Sequence, residues 1–106
     1  MKVDTFPYAF FEGKMTKIED AKVSIMTNAL QYGTAFFGGI RGYKSSNGKF
    51  ISLFRLSDHY NRLLASKNVL GVEIPYSKEE LIKITLDLIA KNKPKADIYL
   101  RPYAYA

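Results

Sequence analysis

The chain lacks cysteine altogether, and none of its apolar runs approaches the roughly 20 residues that a membrane-spanning helix needs. The absence of cysteine excludes disulfide bonds, thiolate metal sites and cysteine nucleophiles, and we expect no metal site. The first residues also lack the basic stretch and the apolar stretch of a secretory signal peptide. These absences predict a cytoplasmic protein that has no membrane partner.

Acidic residues are the minority among the charged ones: Asp and Glu total 10 against 16 Lys and Arg, which gives a formal net charge of +6 in 106 residues. This excess is compatible with nucleic acid, with small anions, or with a segment whose compensating acids lie elsewhere in a longer protein. The lysines are scattered singly, so nucleic acid is not an expected partner. A hydrophobic content of 47% and an aromatic content of 14% are typical of one ordinary folded domain.

The first half of the chain predicts two β-hairpins with a short helix between them. Residues 24–33 hold apolar side chains at helical spacing, enough for one or two turns. Each hairpin is indicated by a glycine turn between apolar runs. The runs are Tyr8–Phe11 and Met15–Ile18 around Glu12–Lys14, and Thr34–Tyr43 and Phe50–Phe54 around Ser45–Gly48. Three glycines in the third run weaken a strand unless it contains a bulge or lies against a ligand.

The second half predicts two helices and a final strand. Ser57 is the expected N-cap of a helix that reaches about Asn68, and Ser77–Glu80 forms a capping box for a helix that closes at Asn92–Pro94. Ala96–Tyr103 is the expected strand. The fold class is therefore α+β, an antiparallel or mixed sheet built from hairpins with two main helices packed on one face.

The final strand carries the first candidate site. Alternation along the strand places Tyr99, Arg101 and Tyr103 on one face, and a guanidinium between two phenols could receive a carboxylate. A solvated face on which Arg101 pairs with a surface acid explains the same pattern. Because the chain stops at Ala106 while the pattern still indicates a strand, we expect a segment of something larger.

Two further clusters are candidates for binding. His59 and Arg62 share one face near the start of a helix, where a phosphate could bind, although Arg62 could equally be an ordinary surface side chain. Residues 32–41 combine aromatic residues with glycines, which would let a ligand approach the backbone. A bulged strand with aromatic core residues explains that pattern as well.

Taken together and in this order, these segments make the chain resemble the fold-type IV pyridoxal-phosphate enzymes, and most closely the branched-chain amino acid aminotransferases. The resemblance covers most of the chain, from about Phe11 onward. The matching segments are Ala29–Thr34, Gly39–Tyr43, Phe54–Leu56 with His59 and Arg62–Leu63, Ile74–Ser77, and Tyr99–Pro102.

The resemblance implies a role for each candidate residue. Arg62 would bind the phosphate of the cofactor, pyridoxal 5'-phosphate, and Tyr99 and Arg101 would receive the α-carboxylate of the amino acid or 2-oxo acid substrate. Tyr32 and Phe37 would line the substrate pocket. In such enzymes the neighbouring subunit lends part of this wall, so the resemblance also implies a homodimer or another homo-oligomer.

Two features depart from the family pattern. Gly38 occupies the position where the family usually has Glu in Phe-Glu-Gly-Ile-Arg, which affects the expected substrate range. The catalytic Schiff-base lysine of the family lies in a following large domain and has no counterpart before Ala106. The resemblance therefore implies that residues 1–106 are the N-terminal small domain and are inactive without the C-terminal large domain.

Two classes of function remain open on the sequence. The first is the small domain of a branched-chain aminotransferase, which exchanges an amino group between a branched-chain L-amino acid and 2-oxoglutarate. A D-amino acid aminotransferase or an aminodeoxychorismate lyase is a related alternative, against which the Tyr-x-Arg-Pro segment at Tyr99–Pro102 argues. The second class is a free-standing binding or oligomerisation module that shares the fold and has no catalytic activity.

Overall fold

A computed structural model describes residues 4–105, apart from the side chains of residues 67–70. Ala106, the end point that suggested an unfinished strand, lies outside this range. No helix within the described range is both long enough and apolar enough to cross a membrane.

In residues 4–105, seven short strands form three antiparallel sheets. Strands β1 (Tyr8–Phe11) and β2 (Lys14–Lys17) form the first hairpin, whose turn residues Glu12 and Gly13 both have positive φ, as the common two-residue hairpin turn requires. Strand β3 pairs with β7, and β4 lies between β5 and β6. The bounds of these five strands are Ala35–Phe37 (β3), Ile40–Lys44 (β4), Ile51–Leu53 (β5), Ile98–Leu100 (β6) and Tyr103–Tyr105 (β7).

The two runs predicted as single strands are each broken in two. Gly38 and Gly39 separate β3 from β4, and Arg101 and Pro102 separate β6 from β7. The pairing register is the same on both sides of the break, and the amide of Gly38 donates to the carbonyl of Pro102 at 3.0 Å across it. Proline has no amide hydrogen to continue the ladder. Residues 35–44 and 98–105 thus form one interrupted two-stranded ribbon, called the ribbon below.

Three α-helices complete the fold of the described residues, and the predicted α+β class is confirmed. The predicted short helix is confined to α1 (Asn28–Tyr32), which ends at Gly33 with φ 70°. The two main helices are α2 (Leu56–Leu70) and α3 (Lys78–Asn92). The capping box between Ser77 and Glu80 is present, as predicted.

The prediction that Ser57 caps α2 was wrong. The helix begins at Leu56, and its N-cap is Arg55, two residues before the predicted cap, in the left-handed region at φ 53° and without a capping side chain. Only Phe54 and Arg55 lie between β5 and α2, so the chain must turn sharply there. Arg55 instead pairs with Asp58 in the first turn of the helix, where an acid is favourable to the helix dipole.

The core lies between the ribbon and the two main helices. Its centre is Ile40 of β4 with Tyr60 and Leu63 of α2, and the apolar residues packed around it include Phe36, Leu56, Leu81, Ile82 and Leu100. The hydroxyl of Tyr60 hydrogen-bonds the hydroxyl of Thr85 on α3, which joins the two helices inside the core. Burial raises the pKa of the Tyr60 phenol, and the bond to Thr85 partly offsets this shift.

Candidate functional site

The ribbon has a buried face and an exposed face, as the pleat of paired strands requires. Directly opposite residues share a face, so Ile40 and Leu100 point together toward the helices, while Arg41 and Tyr99 point away from them. We call the second face the outer face. It carries an unusual density of exposed aromatic and cationic side chains: Phe37, Arg41, Tyr43, Tyr99, Arg101 and Tyr103.

Arg101 lies at the centre of the outer face, where it contacts two aromatic rings and no acidic side chain of the described residues. Its guanidinium carbon is 4.3 Å from the ring centroid of Phe37 and 5.6 Å from that of Tyr99. Within residues 4–105, Arg101 makes no ion pair and no side-chain hydrogen bond. The alternative of a surface pair between Arg101 and an acid therefore does not describe this structure. The guanidinium retains its donors for an external anion.

Tyr99 lies across the neighbouring strand, over Gly39. A Cβ atom added to Gly39 would be 2.5 Å from the Tyr99 hydroxyl oxygen and 3.0 Å from two ring carbons. Tyr99 as a whole residue is 52% exposed. The structure therefore brings Phe37, Tyr99 and Arg101 together, three of the five residues singled out in the sequence.

Gly38 belongs to the opposite face. Its register partner is Pro102, and a Cβ atom added to Gly38 would be 3.6 Å from the Pro102 Cγ, an ordinary contact. Its backbone conformation is one that any residue adopts, since its φ is not positive. A side chain at position 38 would therefore point away from Tyr99 and Arg101.

Arg62 lies elsewhere, on α2. Its guanidinium is exposed and one of its terminal nitrogens is 3.0 Å from the Nδ1 of His59, which confirms that these two residues share a helix face. Neither side chain pairs with a carboxylate in the described part of the chain. A guanidinium without an acidic partner could hold a phosphate. No hydrogen bond or ring contact joins Arg62 to the outer-face cluster.

Tyr32, the last of the five, ends α1 and is 79% exposed. The segment around it is unusually apolar for a surface. Four other exposed apolar side chains accompany it: Val23, Ile25, Met26 and Leu30. We call these five residues the apolar strip. A monomeric surface rarely shows so many exposed apolar side chains in one short segment.

Two residues near this cluster, Arg41 and Phe54, were given no role in the sequence analysis. Arg41 lies directly opposite Tyr99, and the amide of Phe54 donates to the Arg41 carbonyl at 3.0 Å, which continues the β4–β5 pairing. Phe54 is 58% exposed. Both residues belong to the matched segments, but only the pairing of three strands places Arg41 between Phe54 on one side and Tyr99 on the other.

The geometry can bind a small carboxylate. A planar guanidinium offers paired donors that match two carboxylate oxygens, and the nearby phenol can donate a further hydrogen bond. The surrounding rings provide an apolar wall for the remainder of the ligand. In the described residues no three acidic or histidine side chains converge as metal ligands would.

Comparison with known proteins shows which family the chain is similar to. The profile of the amino-transferase class IV family matches residues 36–106. A protein of Aquifex aeolicus (strain VF5) named "Probable branched-chain-amino-acid aminotransferase" is 43% identical over 105 residues, which cover 99% of this chain and 34% of that protein. The chain therefore spans about a third of the length of the curated relatives it matches.

Solved structures show the same correspondence. The branched-chain aminotransferase of Thermoproteus uzoniensis, crystallised with norvaline, matches with a TM-score of 0.87 at 39% identity, over 95% of this chain and 33% of that one. The branched-chain amino acid aminotransferase of Thermobaculum terrenum, in its PLP-bound holo form, matches with a TM-score of 0.85 at 31% identity, over 95% and 33% of the two chains. The resemblance seen in the sequence is confirmed, and the chain belongs to the class IV aminotransferase family.

Proposed function

We propose that this chain is the small domain of a pyridoxal-phosphate-dependent branched-chain aminotransferase. The protein that carries it transfers an amino group between a branched-chain L-amino acid and 2-oxoglutarate. One observation carries the proposal: Arg101 has no acidic partner in the described residues and lies between Phe37 and Tyr99 on an exposed aromatic face. The similarity to branched-chain aminotransferases supports the reaction class.

In this proposal, the α-carboxylate of the substrate is the anion that Arg101 and Tyr99 receive. The guanidinium fork orients the carboxylate, and the phenol supplies a third donor. Phe37 forms the wall beside the substrate side chain, an apolar contact suited to a branched aliphatic group.

The residues present fit the phosphate of the cofactor. Arg62 is exposed, has no carboxylate partner in the described residues, and is oriented by its contact with His59. We assign it to the phosphate of pyridoxal 5'-phosphate, which supplies the electron sink for amino-group transfer when it is bound. The Schiff-base lysine comes from a C-terminal large domain, which also covers the outer face.

A second copy of the protein is part of the proposal. The apolar strip would be costly to leave in water, and Tyr32 at its end would reach the substrate pocket of the neighbouring subunit. The proposed protein is thus a homodimer that works in the cytoplasm, and membranes and nucleic acid are not its partners. Its active site would be complete only in the dimer.

The first experiment tests Arg101 in the full-length protein. We expect Arg101→Ala to raise the KM for L-leucine about 10- to 100-fold, because a hydrogen bond to a charged group contributes about 1.5–3 kcal/mol. The absorbance of the bound cofactor should not change. Lys83→Ala is the matched control, since it removes an exposed positive charge that is paired with Asp87 on α3. An unchanged KM for Arg101→Ala would contradict the proposal.

The second experiment tests the homodimer. We expect Leu30→Glu to convert the full-length protein to monomers in analytical ultracentrifugation, because it places a charge in the apolar strip. Leu86→Glu is the control, since Leu86 is also an exposed helical leucine but lies on α3. If Leu30→Glu leaves the dimer intact, the apolar strip is not the interface.

A further inference from the structure

We propose that Phe37 and Gly39 are positioning residues, which hold Arg101 and Tyr99 in the carboxylate-binding geometry before a ligand arrives. Both lie in residues 35–44 of the ribbon, opposite residues 98–105, which carry the two binding side chains. The inference rests on the proposed function, because it assumes that Arg101 and Tyr99 bind a substrate carboxylate.

Phe37 determines the orientation of the guanidinium. Arginine has a long side chain with many rotamers, and an exposed one would ordinarily sample them. Here the guanidinium carbon lies 4.3 Å from the centre of the Phe37 ring, within the range of a cation–π contact. The N–H donors of the guanidinium make no hydrogen bond within the described residues, so they remain free for a carboxylate.

The Phe37 ring is itself supported from the neighbouring strand. Its centroid is 6.2 Å from that of Tyr103, its partner in the β3–β7 register, and the two rings are tilted by 51°. Such an aromatic pair across a sheet restricts the motion of both rings. Arg101 therefore stacks on a ring whose position is determined by the sheet.

Gly39 determines the position of Tyr99. The phenol crosses the ribbon and its hydroxyl occupies the space where a side chain at position 39 would begin, 2.5 Å from the ideal Cβ position. Gly39 has no positive φ, so the backbone conformation does not require glycine there. The requirement is the space for Tyr99, and any larger residue would displace the hydroxyl.

The neighbouring glycine shows that this requirement is specific. Gly38 also has an unstrained backbone, yet a Cβ atom there would make only an ordinary contact with Pro102, on the other face. The same substitution should therefore have different effects on Tyr99 at these two adjacent positions. Glycine to alanine should move Tyr99 at position 39 and leave it in place at position 38.

Side chains that are positioned before binding should raise the affinity of the site for a carboxylate. A receptor that is ordered before binding loses less conformational freedom when the ligand arrives, so it binds more tightly with the same contacts. Removing a positioning residue should therefore weaken carboxylate binding even though Arg101 and Tyr99 are both present.

The test measures binding of 4-methylvaleric acid to the full-length protein with its cofactor. This branched carboxylic acid has no amino group to transfer, so its dissociation constant is independent of turnover. The amide of the same acid is the second probe, because it has the same shape without the negative charge. The variants are Phe37→Leu, Gly39→Ala, Gly38→Ala and Arg101→Ala, and each is first checked to have the same thermal unfolding midpoint as the parent protein.

We expect Phe37→Leu and Gly39→Ala to weaken binding of the acid about tenfold and binding of the amide much less, while Gly38→Ala binds the acid as the parent does. If both variants bind the acid normally while Arg101→Ala does not, the positioning role is wrong and the carboxylate receptor stands. If Arg101→Ala also binds normally, the proposed function fails as well. Equal losses for Gly38→Ala and Gly39→Ala would attribute the effect to the ribbon in general and overturn the inference.

Discussion

Gly42 offers a quantitative test of how the sheet is packed. It is buried in β4 between β5 and β6, where its Cα partners are Leu53 and Ile98. A Cβ atom at this position would be 2.6 Å from the Ile98 Cγ1 and 2.8 Å from the Ile51 Cγ2. Both distances are shorter than real Cβ contacts, so replacing Gly42 by alanine requires the two isoleucine side chains, or the strands that carry them, to shift.

The expected cost of Gly42→Ala follows from these contacts. Isoleucine is stiff at χ1, and the clashing atoms are close to the backbone, so neither side chain can rotate away cheaply. Overpacking of this kind costs about 1–3 kcal/mol. Glycine in a strand is itself unfavourable relative to alanine by roughly 0.5–1 kcal/mol, which offsets part of the cost. We expect a net loss of about 1–2 kcal/mol in the free energy of unfolding.

The assay is denaturant unfolding of the protein followed by circular dichroism, with thermal unfolding as a second measure. A loss of about 1 kcal/mol should lower Tm by about 4–8 °C for a domain near 100 residues. Gly38→Ala is the control, because it makes the same chemical change without a clash. If Gly42→Ala is as stable as Gly38→Ala, the close packing of β4 against its neighbours is wrong.

Three further predictions concern helix ends and pH. Ser77→Ala should lower the free energy of unfolding by about 1 kcal/mol by removing the capping box, whereas Ser57→Ala, inside α2, should cost little; urea unfolding compares the two. Lys93→Gly should raise the free energy of unfolding by roughly 1 kcal/mol, because Lys93 is the C-cap of α3 and has a left-handed backbone at φ 49°. An unchanged urea midpoint would argue against this conformation. Burial raises the pKa of the Tyr60 phenol, so the unfolded state loses this proton at a lower pH than the folded state does. The free energy of unfolding should therefore fall as the pH rises above 10.0, the usual pKa of tyrosine. Tyr60→Phe should show a shallower fall in Tm between about pH 9 and 11.

The local elements were predictable because neighbouring residues determine them. The hairpin at Glu12–Gly13 and the capping box at Ser77 were both found, since turn geometry and amide capping depend on a few consecutive residues. The start of α2 was missed. Ser57 is a good capping residue, but the sharp connection from β5 begins the helix at Leu56, and this connection depends on how the sheet and the helix pack.

The breaks in the two long strands could not be predicted from neighbouring residues. The apolar runs around Gly38 and Pro102 each indicated one continuous strand. The three glycines within the first run were interpreted as a bulge or as a ligand contact. Neither interpretation predicted that individual glycines make space for different side chains. Gly39 makes space for Tyr99 and Gly42 makes space for Ile98. These contacts join residues that are far apart in the chain, and no local pattern encodes them.

The sequence by itself determined the family, the two main helices, the hairpin turns, and the alternation that places Tyr99 and Arg101 on one face. Each of these depends on the identity and spacing of residues within a short segment. Only the tertiary structure decided that β3 pairs with β7, that Arg101 stacks on Phe37 without an acidic partner in the described residues, and that Gly38 and Gly39 face opposite sides. The physical reason is that strand register and ring stacking arise between distant segments, so they exist only once the chain has folded.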